Sequence, residues 1–236
     1  MEATQSGNFK PVPLPAQGTY VARCYSVIHI GTVPNIFNGK LDPKKPTKEV
    51  IQITWELPKL LTVFNETKGL EPFVVGEEIS LSTNENSNLY KLIAAWRGTK
   101  LTPAEMKSFD PSVMVGKKCL INVVYKTKKK FLGQKIEVIT NENTILTNNG
   151  IMACPKEMEC PAGMNPYYIW DWDKDSNPFA GDKFAKMPKW LQDKCKESEE
   201  YKQFGPKDQP ASSEQASQPQ TSSPAANQKV DDSDGW

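Results

Sequence analysis

The chain of 236 residues is 38% hydrophobic and 24% charged, enough apolar mass for one main core with appendages but not for two large ones. No stretch approaches the roughly 18 continuous apolar residues of a membrane span, and Met1 to Phe9 lack the basic-then-apolar order of a secretory signal, so the expectation is a protein of the cell interior with no membrane partner. Net charge is +1 but unevenly spread: from Gly205 to Trp236 two positives stand against five negatives, which leaves +4 on the remainder and sets a basic body against an acidic tail.

After a proline-rich lead-in, residues 1–17, Gly18 opens a β-rich run from Thr19 to Ile30. Both of its alternating faces carry apolar residues, as in a bent strand shared by two halves of a small barrel. Gly31 and Pro34 end the run. Residues 31–48 then read as a loop rich in Pro, Gly and Asn that carries Lys40, Lys44, Lys45 and Lys48. A second strand sets Ile51, Ile53, Trp55 and Leu57 on one face and Gln52, Thr54 and Glu56 on the other, until Pro58 stops it. A third follows near Val74 to Ser82.

The period then changes. Leu89, Leu92, Ile93 and Trp96 make one apolar helical stripe, with Asn86 or Ser87 as the cap and Gly98 as the stop. Thr102-Pro-Ala-Glu105 signals a short second helix with a capping box and a proline in its first turn. Two more strands, Lys118 to Lys126 and Lys135 to Ile139, are joined by Thr127-Lys-Lys-Lys-Phe-Leu-Gly-Gln134.

Three strands, a helix and two strands is the order of an OB-fold, whose ligands lie across strands 2 and 3 and between the loops joining strands 1–2 and 4–5. The expected fold is therefore mainly β: a five-stranded OB-type barrel over residues 18–141, with a helix between strands 3 and 4. A C-terminal extension over residues 142–204 closes with a helix from Pro188 to Tyr201, and a disordered linker and acidic tail fill residues 205–236. The tail is rich in Gln, Ser, Pro and Ala, too poor in apolar bulk to offset ordering entropy.

The two loops an OB-fold uses on nucleic acid are here the two lysine-rich ones. Lys40, Lys44, Lys45 and Lys48 occupy the first, and Lys126, Lys128, Lys129 and Lys130 the second. Mobile ammonium groups suit a phosphate backbone because they displace condensed counterions, and Phe131, Phe37 and Tyr25 are the rings available to stack on bases. One such loop alone would read as a solvated hairpin whose lysines deter edge-to-edge aggregation. Trp55 and Trp96 fall on the apolar phases of their own elements and read as core.

Other chemistry reads as absent. The five cysteines fit reduced thiols, Cys154 and Cys160 lack the paired spacing of a zinc site, and the single histidine, His29, reads as a strand residue. Asp171, Asp173, Asp175 and Asp182 imitate a calcium loop, but Ser176 stands where the turn needs glycine. With no phosphate-binding glycine loop and no catalytic constellation, neither an enzyme nor a cofactor is expected. The tail ends Val230-Asp-Asp-Ser-Asp-Gly-Trp236, so Asp231, Asp232, Asp234 and Trp236 are the residues expected to recruit a partner protein, the aspartates also competing with phosphate for the lysine loops.

Gly18-Thr-Tyr-Val-Ala-Arg-Cys-Tyr-Ser-Val, Ile53-Thr-Trp-Glu-Leu-Pro58, Ser87-Asn-Leu-Tyr-Lys-Leu-Ile-Ala-Ala-Trp-Arg-Gly98 and Val115-Gly-Lys-Lys-Cys-Leu-Ile-Asn-Val-Val124 resemble a family of bacteriophage and prophage single-stranded-DNA-binding or replication proteins. The resemblance covers roughly residues 15 to 140. It implies non-sequence-specific binding of single-stranded DNA in phage replication or recombination, in the cytoplasm of an infected bacterial host. The tail separately resembles the acidic tips by which bacterial and phage proteins of this kind recruit replication and recombination partners, and it departs from them in ending on Gly-Trp. Two rival expectations remain: an OB-fold replisome adaptor that mainly binds protein, and a metal-dependent nuclease using the acidic cluster near Asp171.

Overall fold

The computed structural model describes residues 15–37, 39–132, 135–143, 150–172, 179 and 182–206, with backbone alone for Phe37, 125–132 and 135–143. Met1–Gly205 form one unit and Pro206–Trp236 a second.

The protein is mainly β, and its centre is a long strand, β1 (Gly18–Pro34). The first half of β1 pairs antiparallel with β6 (Lys118–Val123) and the second half with β4 (Thr47–Asn65). Register shifts at Tyr25 and Ile30 let one strand serve both neighbours, since each extra residue bends the ladder. Beyond β4 lies β5 (Gly69–Ser80), and beyond β6 the two-residue β9 (Ile151–Met152). A three-residue strand, β10 (Tyr168–Trp170), adds a parallel pairing to β1.

The sheet therefore has six strands and is open, with β5 and β9 at the ends of its main path, rather than the closed five-stranded barrel expected. Two features explain the difference. The loop after β1 forms its own small hairpin, β2 (Ile36–Phe37) with β3 (Lys40–Leu41), so no helix lies between the third and fourth strands and α1 (Asn88–Arg97) follows the fifth. In addition, β7 (Tyr125–Leu132) and β8 (Lys135–Asn143) pair with each other in a separate two-stranded sheet instead of completing the main one.

Pro58 does not stop its strand. Leu57 pairs with Phe73 and Leu61 with Pro72, so Pro58, Lys59 and Leu60 bulge out with no partner on β5, and a proline there forfeits no ladder hydrogen bond. The β4–β5 hairpin thus continues into an arm on which Leu61, Val63, Phe64 and Leu70 stay exposed.

Both faces of the sheet are covered. On one, Ile51, Ile53, Trp55 and Leu57 pack with Val27, Ile121 and the α1 stripe Leu89, Leu92, Ile93 and Trp96. The Trp55 and Trp96 rings lie 5.8 Å apart, and the Trp96 indole donates to Lys118 O at 2.8 Å. Ser87 caps α1 by accepting from Tyr90 N, and Gly98 ends it with φ of 70°. A second helix, α2 (Pro103–Lys107), carries the full Thr102–Glu105 capping box.

On the opposite face Ile28, Ile30 and Val50 meet Trp170, Trp172, Met187, Leu191 and Cys195. The C-terminal extension is thus a second layer that explains the two apolar faces of β1. It contributes α3 (Lys183–Lys186), α4 (Lys189–Lys196) and α5 (Glu199–Phe204). The single closing helix expected is broken at Ser198, whose hydroxyl accepts from Tyr201 N and starts a new helix.

The same layer buries the polar face of β4. Glu56, predicted outward, is fully buried. One carboxylate oxygen accepts from Arg23 Nε at 2.6 Å, and the other accepts Met164 N, Asn165 N and Asn165 Nδ2 at 2.9–3.1 Å. The Arg23 guanidinium also donates to Asn165 O at 2.8 Å and stacks 4.7 Å from the Tyr167 ring centroid. Residues 163–167 are strapped across the sheet by this pair. No described helix is long and apolar enough to cross a membrane.

Candidate nucleic-acid interface

Between β1 and β4 the chain makes a pinned loop. Asn35 N donates to Pro46 O at 2.7 Å and Asn35 Nδ2 to Lys45 O at 2.9 Å, while Asp42 N donates back to Asn35 O at 2.9 Å. Asp42 Oδ1 then accepts the backbone N–H groups of Lys44 (2.9 Å) and Lys45 (3.4 Å), an Asx turn that fixes both residues. The only carboxylate in the loop is thereby occupied with backbone, leaving the ammonium groups as its outward charges. Lys40, Lys44 and Lys45 are exposed and Lys48 is half-buried opposite Val33 on β1. Among the described residues none of the four enters an ion pair.

The other predicted site residues are placed differently. Lys126, Lys128, Lys129, Lys130 and Phe131 sit on β7 itself rather than in a loop: Lys126 is registered opposite Glu142, Lys130 opposite Glu137 and Phe131 opposite Ile136. The run of lysines masked the strand, because β7 lacks the alternation of a half-buried one. The side chains of these residues and of Phe37 lie outside the described set, as do Asp231, Asp232, Asp234 and Trp236. Tyr25 occupies the first bulge of β1, half-buried in the sheet. Burial, with the Glu56 charge adding to it, pushes its phenol pKa up to about 12.

The chemistry of the remaining polar groups is confined. His29 is buried, with Nδ1 3.3 Å from Asp171 Oδ1 and Nε2 3.0 Å from Glu49 Oε1, the latter out of hydrogen-bonding alignment. It borders a cavity of about 80 Å³, too small for an organic substrate. No group of three His, Cys, Asp or Glu side chains among the described residues is arranged to hold a metal ion. Asp173, Asp175 and Ser176 of the calcium-like stretch lie outside the described residues. Burial drives the thiols of Cys24 and Cys195 up to about 12 and that of Cys119 well above its ordinary value, which keeps all three protonated and inert.

Sequence reading missed Glu56 as a buried group and Trp190 as an exposed one; the second carried a signal, since Leu191 and Cys195 define the buried stripe of α4 and leave Trp190 off it. No protein-family model matches the chain, and no curated protein or solved structure matches it significantly.

Proposed function

We propose that the protein binds single-stranded DNA without sequence preference, in phage DNA replication or recombination, and is not an enzyme. The observation that carries this reading is the loop over residues 35–46, held by its own hydrogen bonds, on which Lys40, Lys44 and Lys45 are exposed and, with Lys48, enter no ion pair among the described residues. Mobile ammonium groups on a backbone already held in place gain affinity from counterion release without ordering the loop anew. We read the scaffold as OB-type. That reading is supported by a long bulged first strand that pairs with different neighbours through its two halves, and by a long second hairpin followed by a helix. Lys126, Lys128, Lys129 and Lys130 of β7 are also assigned to phosphate, and Phe131, Phe37 and Tyr25 are the rings assigned to bases. The acidic tip, Asp231, Asp232, Asp234 and Trp236, recruits replication or recombination proteins in the host cytoplasm.

Fluorescence titration with oligothymidine and with duplex of equal length, at two salt concentrations, tests this. Single strands should bind more tightly and with a steep loss of affinity in salt. Equal affinity for both would leave only a basic surface. A replisome-adaptor reading draws on the exposed apolar side chains of the β4–β5 arm; weak DNA binding with a shallow salt dependence would favour it.

A further inference from the structure

Where the lysine loop rejoins the sheet it borders a groove of about 210 Å³. Val33 and Val50 form its floor and Ile36, the first residue of β2 and 60% exposed, forms one wall. The rim carries Lys48 from the loop side, with Glu78 of β5 and Lys194 and Glu197 of the α4 end on the other. Lys194 and Glu78 form an ion pair that ties α4 to β5. One turn earlier on α4, Trp190 is 51% exposed, its ring centroid 5.7 Å from the Lys194 ammonium.

The rim holds two ammonium groups and two carboxylates, so a phosphate there would meet as much repulsion as attraction. A nucleobase suits it better. Its ring is apolar on both faces and its edge offers carbonyl oxygens to lysine and ring or amino N–H groups to carboxylate. The volume lies below the roughly 300–1,000 Å³ of pockets for drug-sized ligands, room for one planar ring. Lys48 and Ile36 belong both to the groove and to the segment that carries the exposed lysines, so a strand whose phosphates follow Lys40, Lys44 and Lys45 passes the groove's mouth.

We propose that this groove seats one base of a bound single strand, with Ile36 against its ring, Trp190 stacking at the mouth, and Lys48, Lys194, Glu78 and Glu197 meeting its edge. The inference rests on the single-stranded-DNA binding proposed above and adds α4 to the interface.

The test is an oligothymidine titration of the full chain, its Trp190→Ala, Ile36→Ser and Trp190→Phe variants, and a Lys44→Ala/Lys45→Ala control. Thymine supplies both an N3–H donor and carbonyl acceptors. Trp190→Ala should weaken binding about ten-fold, the loss of one stacked base, with an unchanged salt slope, and Trp190→Phe should restore most of it. The lysine control should instead flatten the salt slope. Ile36→Ser, in a separate exposed element, should weaken binding in the same sense and decides the matter should Trp190→Ala fold poorly. Wild-type binding with Ile36→Ser and any folded Trp190→Ala protein within two-fold of it would overturn the groove alone. No wild-type binding to oligothymidine at low salt would overturn the parent reading and the groove with it.

Discussion

Arg23 and Glu56 are register partners across the β1–β4 ladder and form an ion pair whose carboxylate is fully shut from solvent. The three further N–H donors on Glu56 come from Met164 and Asn165, so one carboxylate joins the two central strands to the outer layer. Removing it strands a guanidinium and three donors in a dry place. Glu56→Ala should cost about 3–5 kcal/mol, as when one partner of a buried pair is deleted. Urea denaturation measures it, and a loss below about 1 kcal/mol would mean that water reaches the site. Gly163→Ala should act in the same direction, because a Cβ there collides with both Glu56 and Arg23.

Glu77 gives stability a pH dependence. It lies between Val75 and Ile79 on the inward phase of the edge strand β5, and its buried Oε2 has no hydrogen-bond partner among the described residues. Burial raises its pKa from 4.5 to about 7. A folded-state pKa above the unfolded one means the protonated group favours the fold: its contribution is complete below about 4.5 and is lost as pH rises through about 7. Glu77→Gln should therefore be more stable than wild type at pH 8 and differ little at pH 4.5. Urea midpoints for both proteins at the two values check this; a mutant effect independent of pH would refute it. An inward charge at this position also deters edge-to-edge pairing of β5.

The two lysine clusters are separable by salt dependence. Every lysine that meets a phosphate of a single strand adds about 0.7 to the slope of log K against log salt, and its removal subtracts as much. Lys128→Ala/Lys129→Ala/Lys130→Ala should flatten the slope by about 2 if all three meet phosphate. Lys44→Ala/Lys45→Ala should flatten it by about 1.4. A slope unchanged in the β7 triple variant but reduced in the loop pair would confine the DNA path to the loop over residues 35–46.

The tail prediction separates recruitment from DNA affinity. Trp236→Ala leaves the charges of Asp231, Asp232 and Asp234 in place, so it should bind oligothymidine as wild type does while losing partner proteins in a pull-down from infected-cell extract. Identical captures by wild type, Trp236→Ala and a chain truncated after Lys207 would reduce the tail to a solubilising appendage.

Residue order alone determined what depends on near neighbours. The α1 stripe, the Ser87 and Gly98 ends, the Thr102–Glu105 box and the apolar phase Ile51 to Leu57 follow from periodicity and capping within a few residues, and all are present. Tertiary structure decided the rest through partners distant in the chain. Glu56 sits on a polar phase that reads as solvated, and it is buried because Asn165, 109 residues later, crosses over it. Pro58 reads as a stop, yet β4 continues because β5 supplies no residue opposite the bulge. Whether the sheet closes was invisible locally, since β7 and β8 satisfy each other's backbone groups and leave β5 at an edge. The lysines were countable from the start. Which of them stand without an ion pair among the described residues follows from the Asn35 and Asp42 bonds that shape their loop, and that Lys48 and Lys194 border one groove follows from the packing of α4, where Leu191 and Cys195 bury with Ile30 and Val50.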